Sequence, residues 1–457
     1  MNDDKKRYPS IMHRFKPAEM MVMGFLTLIL IGAVLLTLPI SSASGQGTDF
    51  TDCLFTSTSA VCITGLVVVD TGIYWSFFGK AIIITLVQIG GIGFMSIATL
   101  IAILLGKKIN LRERILIKES LNQNDLSGAV RLIIFVVKYT LVVELVGAIF
   151  LSTVFIPKFG LEKGIWYSIF HAISAFCNAG FDLMGNVTGE YSSLIGYYNN
   201  STIVFTVSSL IILGGIGFPV ILSIKKRKKF KHWNLNSKLA VITTAILIVT
   251  GTLFIFFGEF SNASSIGGMS LGEKLQVAYF QSVTIRTAGY ATIDFTTFRE
   301  STLFIMIIYM LIGASPASTG GGIKTTTVAV IFLAVKAFVK NEKEISVFKR
   351  RIGKIAFRKA LVVLTLGIIL SVTGTFLISA TQSAHFNLLE SAFEVASAVA
   401  TVGSSLGGSK SLDGFGKVLI STLMFTGRVG SITLLTFFIH EKKVKSVRFP
   451  EEKIIIG

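Results

Sequence analysis

The sequence predicts an all-α polytopic membrane protein with eight transmembrane segments arranged as four tandem repeats. Three observations carry that prediction. Long apolar runs recur along the chain, lysine and arginine cluster between alternate runs, and a short segment running from a phenylalanine to a glycine appears four times at a nearly constant interval.

The apolar runs set the class. Of 457 residues, 52% are hydrophobic and only 15% charged, whereas a soluble chain averages about one-quarter charged. Residues 20–48, 81–106, 191–224, 239–258, 301–323 and 360–384 contain no charge. Each matches or exceeds the roughly 20 residues a helix needs to cross a bilayer core. Two further candidates hold charges: residues 132–157 contain Lys138 and Glu144, and residues 418–440 contain Arg428. The first run starts too late, is too long and lacks a small-residue cleavage site. It is therefore expected to be a retained span and not a leader.

Charge placement sets the orientation. The net charge is +18, yet 32 of the 43 lysines and arginines fall into five blocks. These lie before the first run, at 107–131, 225–238 and 336–359, and after His440. Cytoplasmic loops are enriched in Lys and Arg, so both termini are expected in the cytoplasm. The run KKRKKFK at 225–231 then reads as a topology anchor, and no nucleic-acid partner is expected. Cys53, Cys62 and Cys177 form no disulfide framework, and the five histidines show no metal-ligand spacing. No cofactor is expected in the chain.

The repeat is read between the basic blocks. The short segments are FTSTSAVCITG (55–65), FHAISAFCNAG (170–180), FQSVTIRTAG (280–289) and FEVASAVATVG (393–403). Three place Ser four residues after Phe and Gly six residues after Ser. The third has Thr for Ser and is one residue shorter. The terminal glycines lie 115, 109 and 114 residues apart. Each short segment is flanked by two long runs, giving outer helix, re-entrant pore helix and inner helix four times. The expected boundaries are 18–106, 131–224, 237–338 and 355–440 for the repeats. Cytoplasmic segments are expected at 1–17, 107–130, 225–236, 339–354 and 441–457. GGIGF occurs at 90–94 and again at 214–218. With Gly427 and Gly430, these glycines read as close helix packing.

Non-helical backbone is tolerated at membrane depth only where protein buries it or it lines a wet cavity. Four glycine-ended turns meeting around a pseudo-fourfold pore satisfy that condition. Their carbonyls then replace the water around a dehydrated cation. Glycine permits the positive φ such turns need, and the partly negative C-terminal ends of the pore helices favour a cation.

The turns ITG, NAG, TAG and TVG resemble the filter of the Trk/Ktr/HKT superfamily of potassium transporters. The resemblance runs from about residue 18 to 440 and is greatest to the KtrB-type membrane subunits of bacterial Ktr systems. It implies that Ile63, Thr64, Gly65, Asn178, Ala179, Gly180, Thr287, Ala288, Gly289, Thr401, Val402 and Gly403 form a potassium selectivity filter. Gly65 speaks for potassium, since sodium-favouring plant relatives carry Ser there. The resemblance further implies a homodimer with one pore per protomer and a cytosolic ring of RCK-type nucleotide-binding subunits. It implies potassium as the transported ion, sodium as activator or coupling ion in symport, and the cell membrane of a bacterium as the location.

Charges inside apolar runs need a reason, because each costs at least about 2.5 kcal/mol at a helix centre. Lys324 follows a stretch that no helix accommodates: Gly313, Ala314, Ser315, Pro316, Ala317, Ser318, Thr319, Gly320, Gly321 and Gly322. The third inner helix is expected to break there. By resemblance this stretch, with Lys324 and Arg428, is an intramembrane gate. The plainer alternatives are that Lys324 snorkels to the cytoplasm and that Arg428 pairs with a carboxylate or carbonyls. Arg286 either tethers the filter or is exposed at its mouth. Lys138 and Glu144 receive no role. GGGIKT is not a phosphate-binding loop, since the lysine follows Ile and no strand precedes it. No nucleophile–base pair marks an enzyme. The alternative function is a sodium-coupled carrier of an organic solute, which the parallel fourfold repeat disfavours.

Overall fold

The computed structural model of the chain describes residues 17–93, 96–97, 99–100, 103, 129–227, 229–430, 433 and 452. Most of the expected cytoplasmic segments 1–17, 107–130 and 441–457 lie outside the described residues. So do Phe94 of the first GGIGF and nearly all of 431–440. The chain is mostly helical. Its first group of helices is α1 (Pro17–Thr37), α2 (Phe50–Cys62) and α3 (Phe77–Ile92). The second is α4 (Ala129–Phe159), α5 (Leu161–Phe176), α6 (Ser201–Gly215) and α7 (Phe218–Lys226). The third is α8 (Leu235–Glu259), α9 (Leu271–Thr284), α10 (Glu300–Leu311) and α11 (Thr325–Val339). A two-residue hairpin, Ser346–Val347 against Arg350–Arg351, leads to the fourth: α12 (Lys354–Thr381), α13 (Leu388–Ala400) and α14 (Gly414–Val429).

Among the described residues four helices are long and apolar enough to cross a membrane, or five if the bent pair α6–α7 counts as one. The four are α1, α4, α8 and α12. They present large apolar side chains outward, such as Leu145, Phe257 and Phe376. In water that would be costly; against lipid it is the favoured arrangement.

Among the described residues α3, α6, α10 and α14 each stop short of that membrane-crossing length. The sequence pointed to a break only in the third, and the structure has one there, between α10 and α11. Breaks also occur after α3 at Gly93 (φ 87°), after α6 at Gly217 (φ 97°) and after α14 at Gly430 (φ 90°). The bend between α6 and α7 is 89°. A residue with a Cβ rarely adopts such a φ, so the second glycine of each Gly-x-x-Gly turns the chain. The first glycine packs. A Cβ on Gly90, Gly214 or Gly427 would lie 2.2, 1.9 or 2.0 Å from the carbonyl oxygen of Val61, Phe176 or Val399.

Three of the four short helices start on side-chain caps. The Asp49 side chain accepts from Thr51 N at the start of α2 (2.9 Å). Reciprocal capping boxes, Ser270 with Glu273 and Asn387 with Glu390, open α9 and α13. Such caps satisfy amide groups that have no partner within the helix. The packing order is cyclic. Each inner helix lies against the short helix of the next group: α3 on α5, α6 on α9, α10 on α13, and α14 back on α2.

Candidate functional site

The short helices end alike. Ile63, Asn178, Thr287 and Thr401 take positive φ of 55°, 59°, 75° and 53°, and Gly65, Gly180, Gly289 and Gly403 take 90°, 71°, 76° and 91°. Two left-handed residues separated by one other reverse the chain sharply. In three groups the intervening N–H reaches back to the helix: Thr64 N to Ser59 O, Ala179 N to Ser174 O and Val402 N to Ser397 O, all 2.8 Å. In the shorter third segment Ala288 N and Gly289 N both bond to Thr284 O. The serine of the repeat also holds the glycine: Gly65 N donates to Ser59 Oγ and Gly403 N to Ser397 Oγ, each at 3.0 Å.

The four turns meet in a closed ring. A Cβ built on Gly65 would lie 2.3 Å from Ala179 O, and one on Gly180 2.6 Å from Ala288 O. On Gly289 it would lie 2.6 Å from Val402 O, and on Gly403 2.1 Å from Thr64 O. Every glycine thus faces the carbonyl that precedes the next glycine, and the fourth returns to the first. No side chain fits between them. The surrounding side chains of Ile63, Thr64, Ala179, Thr287, Ala288, Thr401 and Val402 are fully buried, and Asn178 nearly so. The Asn178 amide and the Thr287 hydroxyl lie 3.2 Å apart, linking the second and third turns.

Against this ring lies the segment that breaks the third inner helix. Its ends are laced together: Gly313 N donates to Ile323 O (2.9 Å), Ala314 N to Gly321 O (3.3 Å) and Ile323 N to Leu311 O (3.2 Å). Ser315 N and Thr319 N donate to Gly215 O and Gly214 O, while Phe218 N donates to Ala317 O. The break in α6–α7 therefore frees backbone groups that the loop takes up. Gly320 and Gly321 press on Thr287 and Thr401, where an added Cβ would come within 2.2 Å of each hydroxyl. Thr319 Oγ1 donates to Phe176 O (3.1 Å).

Lys324 and Arg428 are both held by carbonyls. Lys324 Nζ donates to Gly320 O (2.7 Å) and Gly321 O (3.2 Å), folding back onto its own loop. Arg428 donates to Thr319 O on the loop and Gly90 O on α3. One side chain from the fourth group thus ties the third to the first. Arg286 is buried, 7% exposed, which removes the exposed-mouth alternative. Lys138 is exposed, whereas Glu144 is buried and accepts from Gln88 Nε2 (3.2 Å). Cys177, one residue before the second turn, lies 3.9 Å from the same carboxylate. A role for Glu144 was not legible, because its partners come from a different helix and from the re-entrant end. A basic cleft of about 590 Å³ lined by Lys226, Arg227, Lys229, Lys231, His232 and Arg350 lies elsewhere, beside the hairpin.

No group of three or more His, Cys, Asp or Glu that could hold a metal ion occurs among the described residues. What the ring offers is backbone oxygen from four chain segments at one place.

Comparison with known proteins agrees with a membrane transporter. Residues 2–447 match the family model described as "TrkH: Cation transport protein". The chain is 39% identical to the potassium/sodium uptake protein NtpJ of Enterococcus hirae, over 99% of both chains. It is also 39% identical to the Ktr system potassium uptake protein B of Bacillus subtilis, over 97% of both. Its fold is similar to the crystal structure of the potassium transporter TrkH from Vibrio parahaemolyticus. The TM-score is 0.69 at 19% identity, covering 93% of this chain and 86% of that one.

Proposed function

The chain belongs to the TrkH family of cation transport proteins, and from that premise we propose that it takes up potassium across the cell membrane of a bacterium. It is a multi-pass membrane transporter and not an enzyme. The four groups of helices act as repeats around a pseudo-fourfold pore, contributing eight segments, four of them interrupted, with both termini in the cytoplasm. The turns at Ile63–Gly65, Asn178–Gly180, Thr287–Gly289 and Thr401–Gly403 act as the filter.

The observation that carries this reading is the closed glycine ring. Four segments of similar sequence bring their backbones to one place in cyclic order. A ring of carbonyls needs that arrangement, and a helix merely ending at glycine does not. Two relatives named for potassium uptake support the ion.

The loop of residues 313–322, with Lys324 and Arg428, acts as the gate. It lies against Asn178, Thr287 and Thr401, beside the proposed path. In the closed state Arg428 pins it through Thr319 O. Cytosolic RCK-type subunits release it when they bind nucleotide, acting on a homodimer of this chain. Sodium supports uptake as activator or coupling ion, in keeping with the relative named for both ions.

Uptake of radioactive rubidium into liposomes holding the purified protein tests the reading, with sodium and a panel of organic solutes as competitors. Rubidium uptake suppressed by potassium and not by organic solutes is expected. Uptake of an organic solute driven by a sodium gradient overturns it in favour of a solute carrier.

A further inference from the structure

The residue after the phenylalanine of each short helix is Thr56, His171, Gln281 or Glu394. All four are buried, and their chemistry has nothing in common beyond polarity. In three groups the side chain reaches the same place: the residue three positions beyond the ring glycine. His171 Nε2 accepts from Leu183 N (3.3 Å). Gln281 Nε2 donates to Thr292 Oγ1 (3.1 Å). Glu394 Oε1 accepts from Leu406 N (3.2 Å), and its carboxylate also takes the hydroxyls of Ser405 and Ser409. The imidazole is fixed for this task. Its Nδ1 lies 2.7 Å from Tyr167 O, so the N–H points there and Nε2 is left as acceptor.

The first group lacks the contact. Thr56 is too short, and its hydroxyl has no partner. The equivalent residue there is Val68, and its carbonyl is held from the second group by the Tyr191 hydroxyl (3.2 Å). All four chain segments leaving the ring are therefore anchored at one level by four different side chains. Shared ancestry of the repeats does not require this, since the side-chain chemistry differs in each.

We propose that Tyr191, His171, Gln281 and Glu394 are positioning residues for ion discrimination, bracing the chain just beyond the ring so that it resists closing on a smaller cation. The proposal rests on the filter reading above. A turn held only on its helix side can swing inward about its glycine. A second anchor three residues further on fixes both ends of the turn and with them the spacing of the carbonyls. Loss of one brace is expected to lower preference for the larger ion while the path stays open, so discrimination and capacity separate.

The test measures rubidium and sodium uptake separately in liposomes holding the full chain. The variants are Tyr191→Phe, Gln281→Leu, Glu394→Leu and Glu394→Gln. Tyr191→Phe removes one hydroxyl and leaves the ring, so it folds whatever the others do. It is expected to lower the rubidium-to-sodium ratio roughly fivefold, the factor one hydrogen bond carries, with rubidium uptake near that of the wild type. Gln281→Leu and Glu394→Leu are expected to behave alike. Glu394→Gln keeps an acceptor oxygen for Leu406 N and is expected to restore most of the ratio. A selective wild type whose Tyr191→Phe and Gln281→Leu variants keep the full ratio overturns the bracing role alone. A wild type with no preference for rubidium overturns the filter reading and the braces with it.

Discussion

Replacing Arg428 with methionine removes a side chain that ties the loop to the fourth group of helices and touches the first. The guanidinium donates to two carbonyls, Thr319 O and Gly90 O. A hydrogen bond from a charged donor contributes about 1.5 to 3 kcal/mol. Only the bond to Thr319 O breaks when the loop leaves, since Gly90 and Arg428 both lie outside it, and Arg428 is not fully enclosed, so about 2 kcal/mol is the appropriate scale. If the closed loop depends on that bond, the ratio of open to closed states rises by a factor of about 30. Rubidium efflux from liposomes, measured without any regulatory subunit, reads this directly. The variant is expected to leak at a rate tens of times that of the wild type. Arg428→Lys keeps the charge but loses the fork, and is expected to fall between the two. An Arg428→Met protein that elutes as a single species and shows wild-type efflux refutes the pinning argument.

Further outcomes follow from the same geometry. Gly65→Ala places a Cβ 2.3 Å from Ala179 O at φ 90°, which forces the ring apart, and is expected to cost the preference for rubidium over sodium. Gly45→Ala, at φ 70° with nothing within 4 Å, is expected to cost about 1 kcal/mol of stability and no transport; uptake assays and thermal melts in detergent distinguish them. Lys417 and Asp52 form an ion pair between the fourth and first groups, with side chains about one-fifth exposed. Lys417→Met is expected to cost up to about 1 kcal/mol, seen as a small drop in melting temperature. The Asp49 carboxyl is held below its usual value of 3.8 chiefly by the Thr51 hydroxyl, and that of Asp413 chiefly by the backbone N–H of Gly416. Both therefore favour the folded state fully above pH 3.8 and lose that contribution as pH falls through their lowered values. Melting curves of Asp49→Asn and Asp413→Asn between pH 3 and 6 are expected to flatten relative to the wild type.

The four long helices were legible because lipid demands long apolar runs, and among the described residues α1, α4, α8 and α12 are the four that pass unaided on length and composition. The break in the third inner helix was legible from Pro316 and three consecutive glycines. The breaks at Gly93, Gly217 and Gly430 were not, although a Gly-x-x-Gly spacing marks each. Absence of a Cβ serves both close packing and positive φ, and the sequence does not say which. Here Gly90, Gly214 and Gly427 pack while their partners turn. The carbonyl partners of Arg428 were foreseen as a type but not as Thr319 and Gly90, because a backbone acceptor leaves no trace in residue identity. The proposed braces escaped notice because His, Gln and Glu do not look alike and the fourth, Tyr191, comes from a different group than the chain it holds. The shared position of His171, Gln281 and Glu394 after Phe170, Phe280 and Phe393 was visible all along.

The central claim is that four glycines close a ring around a potassium ion. Rubidium and sodium uptake into liposomes, compared between the wild type and Gly65→Ser, tests it most directly. The account predicts uptake selective for rubidium in the wild type and loss of preference over sodium in the variant. Absence of cation uptake in both, with the cytosolic regulatory subunit present, would contradict it.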